Sequence, residues 1–144
     1  MGGGARGQER RRREGRAVSG RDVFEYALVR VVPRIERGEM INAGVLVYCR
    51  AQGYVGARVH LDEARLRCLD PTVDVVGVRA ALRGYQGVCE GGARAGQAEG
   101  EDPGRRFRWL TAPRSTVVQP GPIHTGLTED ADKEADRLLE LLVR

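Results

Sequence analysis

Aromatic residues are scarce in this chain, at 5% of 144 residues, with one tryptophan. So small a set is expected to be spent on the core, and Phe107 and Trp109 read as interior residues rather than platforms for stacking on bases. No apolar run approaches the roughly 20 residues that a bilayer-spanning helix needs, which excludes such a helix. The three cysteines, Cys49, Cys68 and Cys89, are an odd number at long spacings. They form neither a disulfide framework nor the paired spacing of a zinc module, and point to a reducing, cytoplasmic compartment. Lysine is almost missing: Lys133 stands alone against 23 arginines. Arginine forks suit carboxylates and phosphates. Here they come with abundant glycine, alanine and valine, as in a GC-rich coding bias, so their number alone does not argue anion binding. The nucleotide cradle GxxxxGK[ST], a GxGxxG following a strand, and the nucleophile elbow GxSxG are also missing, and no cofactor and no metal is expected.

What is present is globular composition, 41% hydrophobic and 31% charged, with a net charge of +4. The charge is uneven. Residues 1–21 hold seven arginines and two glutamates, +5 in all, which leaves −1 for residues 22–144. The first seven residues include four glycines, and after Met1 the only sizeable aliphatic of the segment is Val18. Residues 1–22 are therefore expected to be a disordered arginine-rich tail, and not a signal peptide, because no apolar stretch follows the charges. The run Arg10–Arg13 offers a contact for nucleic acid or an acidic partner, although a plain solvated extension explains it as well. Residues 23–144 are expected to form a single domain.

That domain begins with Phe24–Val32, almost continuously apolar and rich in β-branched residues, the pattern of a strand covered on both faces. Pro33 stops it, and residues 34–39 make a charged connection turning at Gly38. Met40–Arg50 reads as a second strand and Tyr54–His60 as a third, giving a three-stranded meander. The period then changes. Asp62 caps a short helix to Leu69, and Asp70-Pro71 starts a longer one with Val75, Val78, Leu82 and Tyr85 at helical spacing, reaching Tyr85 or a few residues beyond, to Cys89. A glycine-rich loop is expected at about 87–104. Arg105–Leu110 alternates charged and aromatic residues, which reads as a strand with Phe107 and Trp109 on one face. Val117-Val118 reads as a short strand in a proline-punctuated stretch. Thr128 caps a last helix with a buried stripe of Ala131, Ala135, Leu138, Leu139 and Leu142. The expected class is α+β: an antiparallel sheet of the meander plus one or two later strands, packed with two to three helices.

Candidate functional residues are few. The loop Arg114-Ser115-Thr116, fixed by Pro113, presents an arginine and two hydroxyls to an anion such as phosphate or carboxylate. His124 lies in a Pro-Gly-Pro-Ile-His-Thr-Gly stretch, and His60 ends a strand before Asp62 and Glu63; either could act as a base, or serve only as a structural hydrogen-bonding residue. Asn42 interrupts an apolar strand, so it should bond backbone or a ligand. Arg34, Glu36, Arg37 and Glu39 make a mixed-charge hairpin tip, a candidate partner-binding surface.

The runs YALVRVVPRIERGEMINAGVLVYC, ARVHLDEARLRCLDP and RRFRWLTAPRSTVVQPGPIHTG, in that order, resemble the bacterial family known as domain of unknown function 3037, over about residues 24–143. The resemblance brings no defined activity and no catalytic residues. It implies a small cytoplasmic bacterial protein, often encoded beside a HipA-like kinase. Three readings remain open. The favoured one is a non-enzymatic interaction or regulatory module, accessory to such a kinase, with an exposed apolar patch beside the hairpin tip. The second is a small enzyme or anionic-ligand-binding protein in which Arg114, His124 and His60 share one pocket. The third is nucleic-acid binding through the tail, which would be salt-sensitive and of low sequence specificity.

Overall fold

A computed structural model describes residues 20–90 and 102–144. Most of the arginine-rich tail, and residues 91–101 of the glycine-rich stretch, lie outside the described residues.

The meander forms as its patterning requires: β1 (Asp22–Val31), β2 (Ile41–Cys49) and β3 (Tyr54–Val59) pair antiparallel in the order β3-β2-β1. β1 starts at Asp22, inside the segment expected to be tail. Its free edge is shared by two later strands. β4 (Val118–Pro120) pairs with residues 29–31, and β5 (His124–Thr128) with residues 22–26. Proline explains the split, because Pro120 and Pro122 lack the donors that one continuous edge strand would need. His124, expected in a loop, therefore heads a strand.

The sheet is buried on both faces. On one, Val29, Val31, Leu46 and Ala57 pack under α1 (Glu63–Leu69), α2 (Val75–Glu90) and α3 (Pro103–Thr111). On the other, Phe24, Val45 and Val47 pack under α4 (Ala131–Leu142). A continuously apolar β2 is what two covered faces demand. Its register slips between Val29 and Arg30, where Val29 opposes Gly44 and Arg30 opposes Asn42. The slip is a β-bulge, and it changes which residues of β2 face which layer. Ile41 and Ala43 share a face with Leu46, while Val45 and Val47 point to the other. Gly44 is required there, because a Cβ on it would sit 2.8 Å from the Arg58 carbonyl oxygen.

The class is α+β, with five strands and four helices among the described residues. Three expectations need correction. Residues 105–110 are helical, not a strand: Asp102 caps α3 by accepting from the Arg105 amide at 2.8 Å, and Pro103 stands in its first turn. The buried residues Phe107, Leu110 and Thr111 follow helical spacing, and Trp109 lies on another side, 42% exposed. Second, α2 extends to Glu90, so the stretch from residue 87 is still helical, and α2 begins at Val75 rather than at Pro71. Asp70 binds the amide and hydroxyl of Thr72 in a local turn, and Asp74 accepts from the Gly77 amide one turn later. Third, Asp130, not Thr128, caps α4; Thr128 Oγ1 accepts from the Asp130 amide just before it.

Long-range polar contacts fix the second layer. Arg58 on β3 bridges Asp132 and Asp136 of α4 at 2.5 and 2.8 Å. Gln52, in the β2–β3 turn, accepts from the Ala131 amide at 2.8 Å and donates to Asp22 at 3.0 Å.

Candidate functional site

The helix α2 has two stripes. Val78, Leu82, Tyr85 and Val88 face the core. Beside them Gly77, Ala81 and Gly84 recur at helical spacing and carry almost no side chain. That bare stripe leaves a trough between α2 and the segment that follows α3. The result is an open, mainly apolar groove of about 830 Å³. Trp109 and Leu110 at the end of α3, with Arg114, Thr116 and Val117, form the facing wall, and Pro33 and Val118 also line it. The volume lies within the range of about 300–1,000 Å³ typical of ligand sites. Among the described residues the lining contains no histidine, cysteine or serine.

One end of the groove is a cationic donor site. The Arg114 guanidinium lies 4.8 Å from the Trp109 ring centroid and 5.8 Å from that of Tyr85. Its Nη2 donates to the Trp109 carbonyl at 2.6 Å. Among the described residues no carboxylate forms an ion pair with it, whereas Arg58, Arg79, Arg108 and Arg137 each have at least one. Tyr85 is only 5% exposed, and its hydroxyl makes no hydrogen bond of ordinary geometry. Burial pushes that phenol up, and the Arg114 charge beside it draws it partly back. The other end is acidic. Asp70 and Asp74 line it, and the Thr72 hydroxyl holds the Asp70 carboxyl below its ordinary range.

Pro33, which lines the groove, leads directly into the charged tip. There Arg34 lies 3.3 Å from Glu36, and Arg37 lies 2.5 Å from Glu39. Ile35 and Met40 are both nearly half exposed beside these pairs.

Arg114 and Thr116 thus come together in the groove, with the Thr116 hydroxyl turned to the Val118 carbonyl at 2.7 Å. Ser115 is exposed and does not line it. The histidines do not join them. His124 sits on β5 with its ring 5.2 Å from that of Tyr26, whose side chain packs in the α4 layer across the sheet. His60, just past β3, is half-buried and outside the lining. Asn42 donates to the Leu142 carbonyl at 3.1 Å and so ties down the end of α4. Among the described residues no cluster of three His, Cys, Asp or Glu side chains could hold a metal ion. No helix among them is long and apolar enough to cross a membrane.

Sequence reasoning missed Tyr85, Trp109, Asp70 and Asp74 as groove residues. A usable signal existed in the Gly77-Ala81-Gly84 spacing alongside the apolar stripe of the same helix. Nothing in the local sequence pointed the Arg114 loop at it.

The family model described as protein of unknown function (DUF3037) matches residues 26–143. No curated protein and no solved structure matches.

Proposed function

From the premise that the chain belongs to the family of proteins of unknown function DUF3037, we propose that it is a non-enzymatic interaction module. Its working surface is the groove, with the hairpin tip as rim. The observation that carries this reading is an open, mainly apolar groove of about 830 Å³ between α2 and the segment that follows α3. Exposed Ile35 and Met40 add apolar surface at the tip that follows Pro33, as expected where one protein receives another. The groove takes an apolar segment of a partner protein. The partner that the family resemblance suggests is a HipA-like kinase encoded nearby.

The test is co-expression with that kinase, followed by size-exclusion chromatography and a binding titration. A Cβ on Gly84 would meet nothing within 4 Å. Gly84→Leu therefore adds a bulky side chain to the groove wall at a position where its Cβ meets no neighbour. We expect a stoichiometric complex that Gly84→Leu weakens by at least about tenfold, or ~1.4 kcal/mol. A complex indifferent to this change would move the interface elsewhere, and absence of any complex would remove the kinase as partner.

A further inference from the structure

We infer that the groove reads charge as well as apolar surface: the partner segment brings an acidic group to Arg114 and the Tyr85 hydroxyl, with apolar side chains along the Gly77-Ala81-Gly84 stripe. This rests on the interaction-module reading and names the chemistry of what is bound.

Two observations on neighbouring groups support it. The first is that Arg114 has no carboxylate partner among the described residues. Stacking on Trp109 and a bond to its carbonyl fix the guanidinium in place. Five N–H donors on a planar fork exceed what one carbonyl can use. A positioned arginine on an apolar wall, with no carboxylate paired to it among the described residues, is arranged for an incoming anion. The second is Tyr85. Its hydroxyl is buried, and although the Arg114 guanidinium donates toward the phenolic oxygen, no acceptor takes the phenolic proton. Arg114 cannot satisfy it, because a guanidinium has no acceptor to offer the phenolic proton. Leaving a buried donor unmet costs free energy, and an acceptor delivered by the occupant recovers it. A carboxylate supplies what both groups lack.

The far end of the groove sharpens the assignment. Asp74 stands just before α2 and Tyr85 lies eleven residues further on, roughly 16 Å along the helix axis. Asp70 and Asp74 repel an acidic group at their end. An acidic apolar segment is therefore oriented as well as held, its carboxylate at the Arg114 end.

The test uses two dyes that share a naphthylamine body. N-phenyl-1-naphthylamine is neutral, and 8-anilinonaphthalene-1-sulfonate adds one anionic group to the same frame. Fluorescence titration of the full chain should show the sulfonate binding at least about tenfold more tightly, as one well-placed charge-assisted contact allows. Arg114→Gln should collapse that preference while leaving the neutral dye within about twofold, since an apolar contact does not depend on the guanidinium charge. Tyr85→Phe removes only the hydroxyl, and should narrow the preference even if Arg114→Gln perturbs the loop. Gly84→Leu should abolish both dyes. Equal binding of the two dyes, or a preference that survives both Arg114→Gln and Tyr85→Phe, overturns the acidic-group assignment and leaves the groove reading standing. Failure of both dyes to bind, or binding that Gly84→Leu does not touch, overturns the assignment together with the groove reading. A stoichiometric small amphiphile, found by native mass spectrometry in protein purified from its own host, would overturn the commitment to a partner segment.

Discussion

Two glycines show how one residue type serves opposite ends. Gly44 sits at the bulge in β2, where a Cβ would lie 2.8 Å from a backbone oxygen that cannot move aside. Gly84 sits in the interior of α2, where a Cβ would touch nothing within 4 Å. Glycine in a helix interior costs about 1 kcal/mol relative to alanine. Gly84→Ala is therefore expected to stabilise the protein by about 0.5–1 kcal/mol, in a denaturant titration read at the midpoint. Gly44→Ala should destabilise it, because the sheet must shift to admit the methyl group. A gain at both positions would mean that the bulge is not constrained as described. Asn42 was legible in kind but not in partner. A polar residue in an apolar strand must bond something, but no local pattern says that the acceptor is the carbonyl of Leu142, a hundred positions away.

The helix α3 is where the sequence misleads most. RRFRWL alternates perfectly enough to pass as a strand, and six residues are too few to separate a period of two from 3.6. The decisive signal lay upstream, in Asp102-Pro103: a cap residue and then proline in the first helical turn. The glycine-rich composition around it masked that signal. The meander, the Asp62 cap and the stripe of α4 were legible because each is local and repeats its period several times. The split edge of the sheet was not, since pairing of β4 and β5 with β1 depends on residues about a hundred positions distant. The correction for α3 can be checked. Phe107 is fully buried and stacks on Tyr48 with ring centroids 5.4 Å apart. Phe107→Ala is expected to cost about 3–5 kcal/mol. Trp109→Ala, at an exposed groove wall, should cost less than about 1.5 kcal/mol while weakening partner binding. On a strand the two side chains would share a face and cost alike, so equal losses in thermal and denaturant unfolding would contradict the helix.

At the scale of the whole molecule, the titrating groups divide by location, and the division sets how stability depends on pH. The carboxylates whose affinity for protons is lowered are surface groups: hydrogen bonding to Arg58 lowers Asp132, and the Thr72 hydroxyl lowers Asp70. A depressed folded pKa contributes stability above the ordinary carboxylate range, lost as pH falls through it, but solvent keeps such contributions small. The phenols and thiols behave in the opposite sense. Burial pushes Cys89 from 9.0 to about 12 and Tyr54 from 10.0 to about 12, and it also raises Cys49, Tyr85 and Tyr48. For each, the unfolded chain gives up its proton first. The folded state thus keeps its full advantage below about pH 9 and loses it as pH climbs toward 12, by up to about 1.4 kcal/mol per pH unit for a fully buried group and less for the half-exposed Tyr54. The urea midpoint is expected to be flat between about pH 7 and 8.5 and to fall steeply by about pH 10.5, with a gentler decline on the acid side. Cys89→Ala should flatten part of the alkaline slope, whereas Cys68→Ala, at an exposed thiol, should leave it unchanged. An alkaline limb that ignores Cys89 would place that thiol in contact with water, and with it the inner end of α2 that carries the groove.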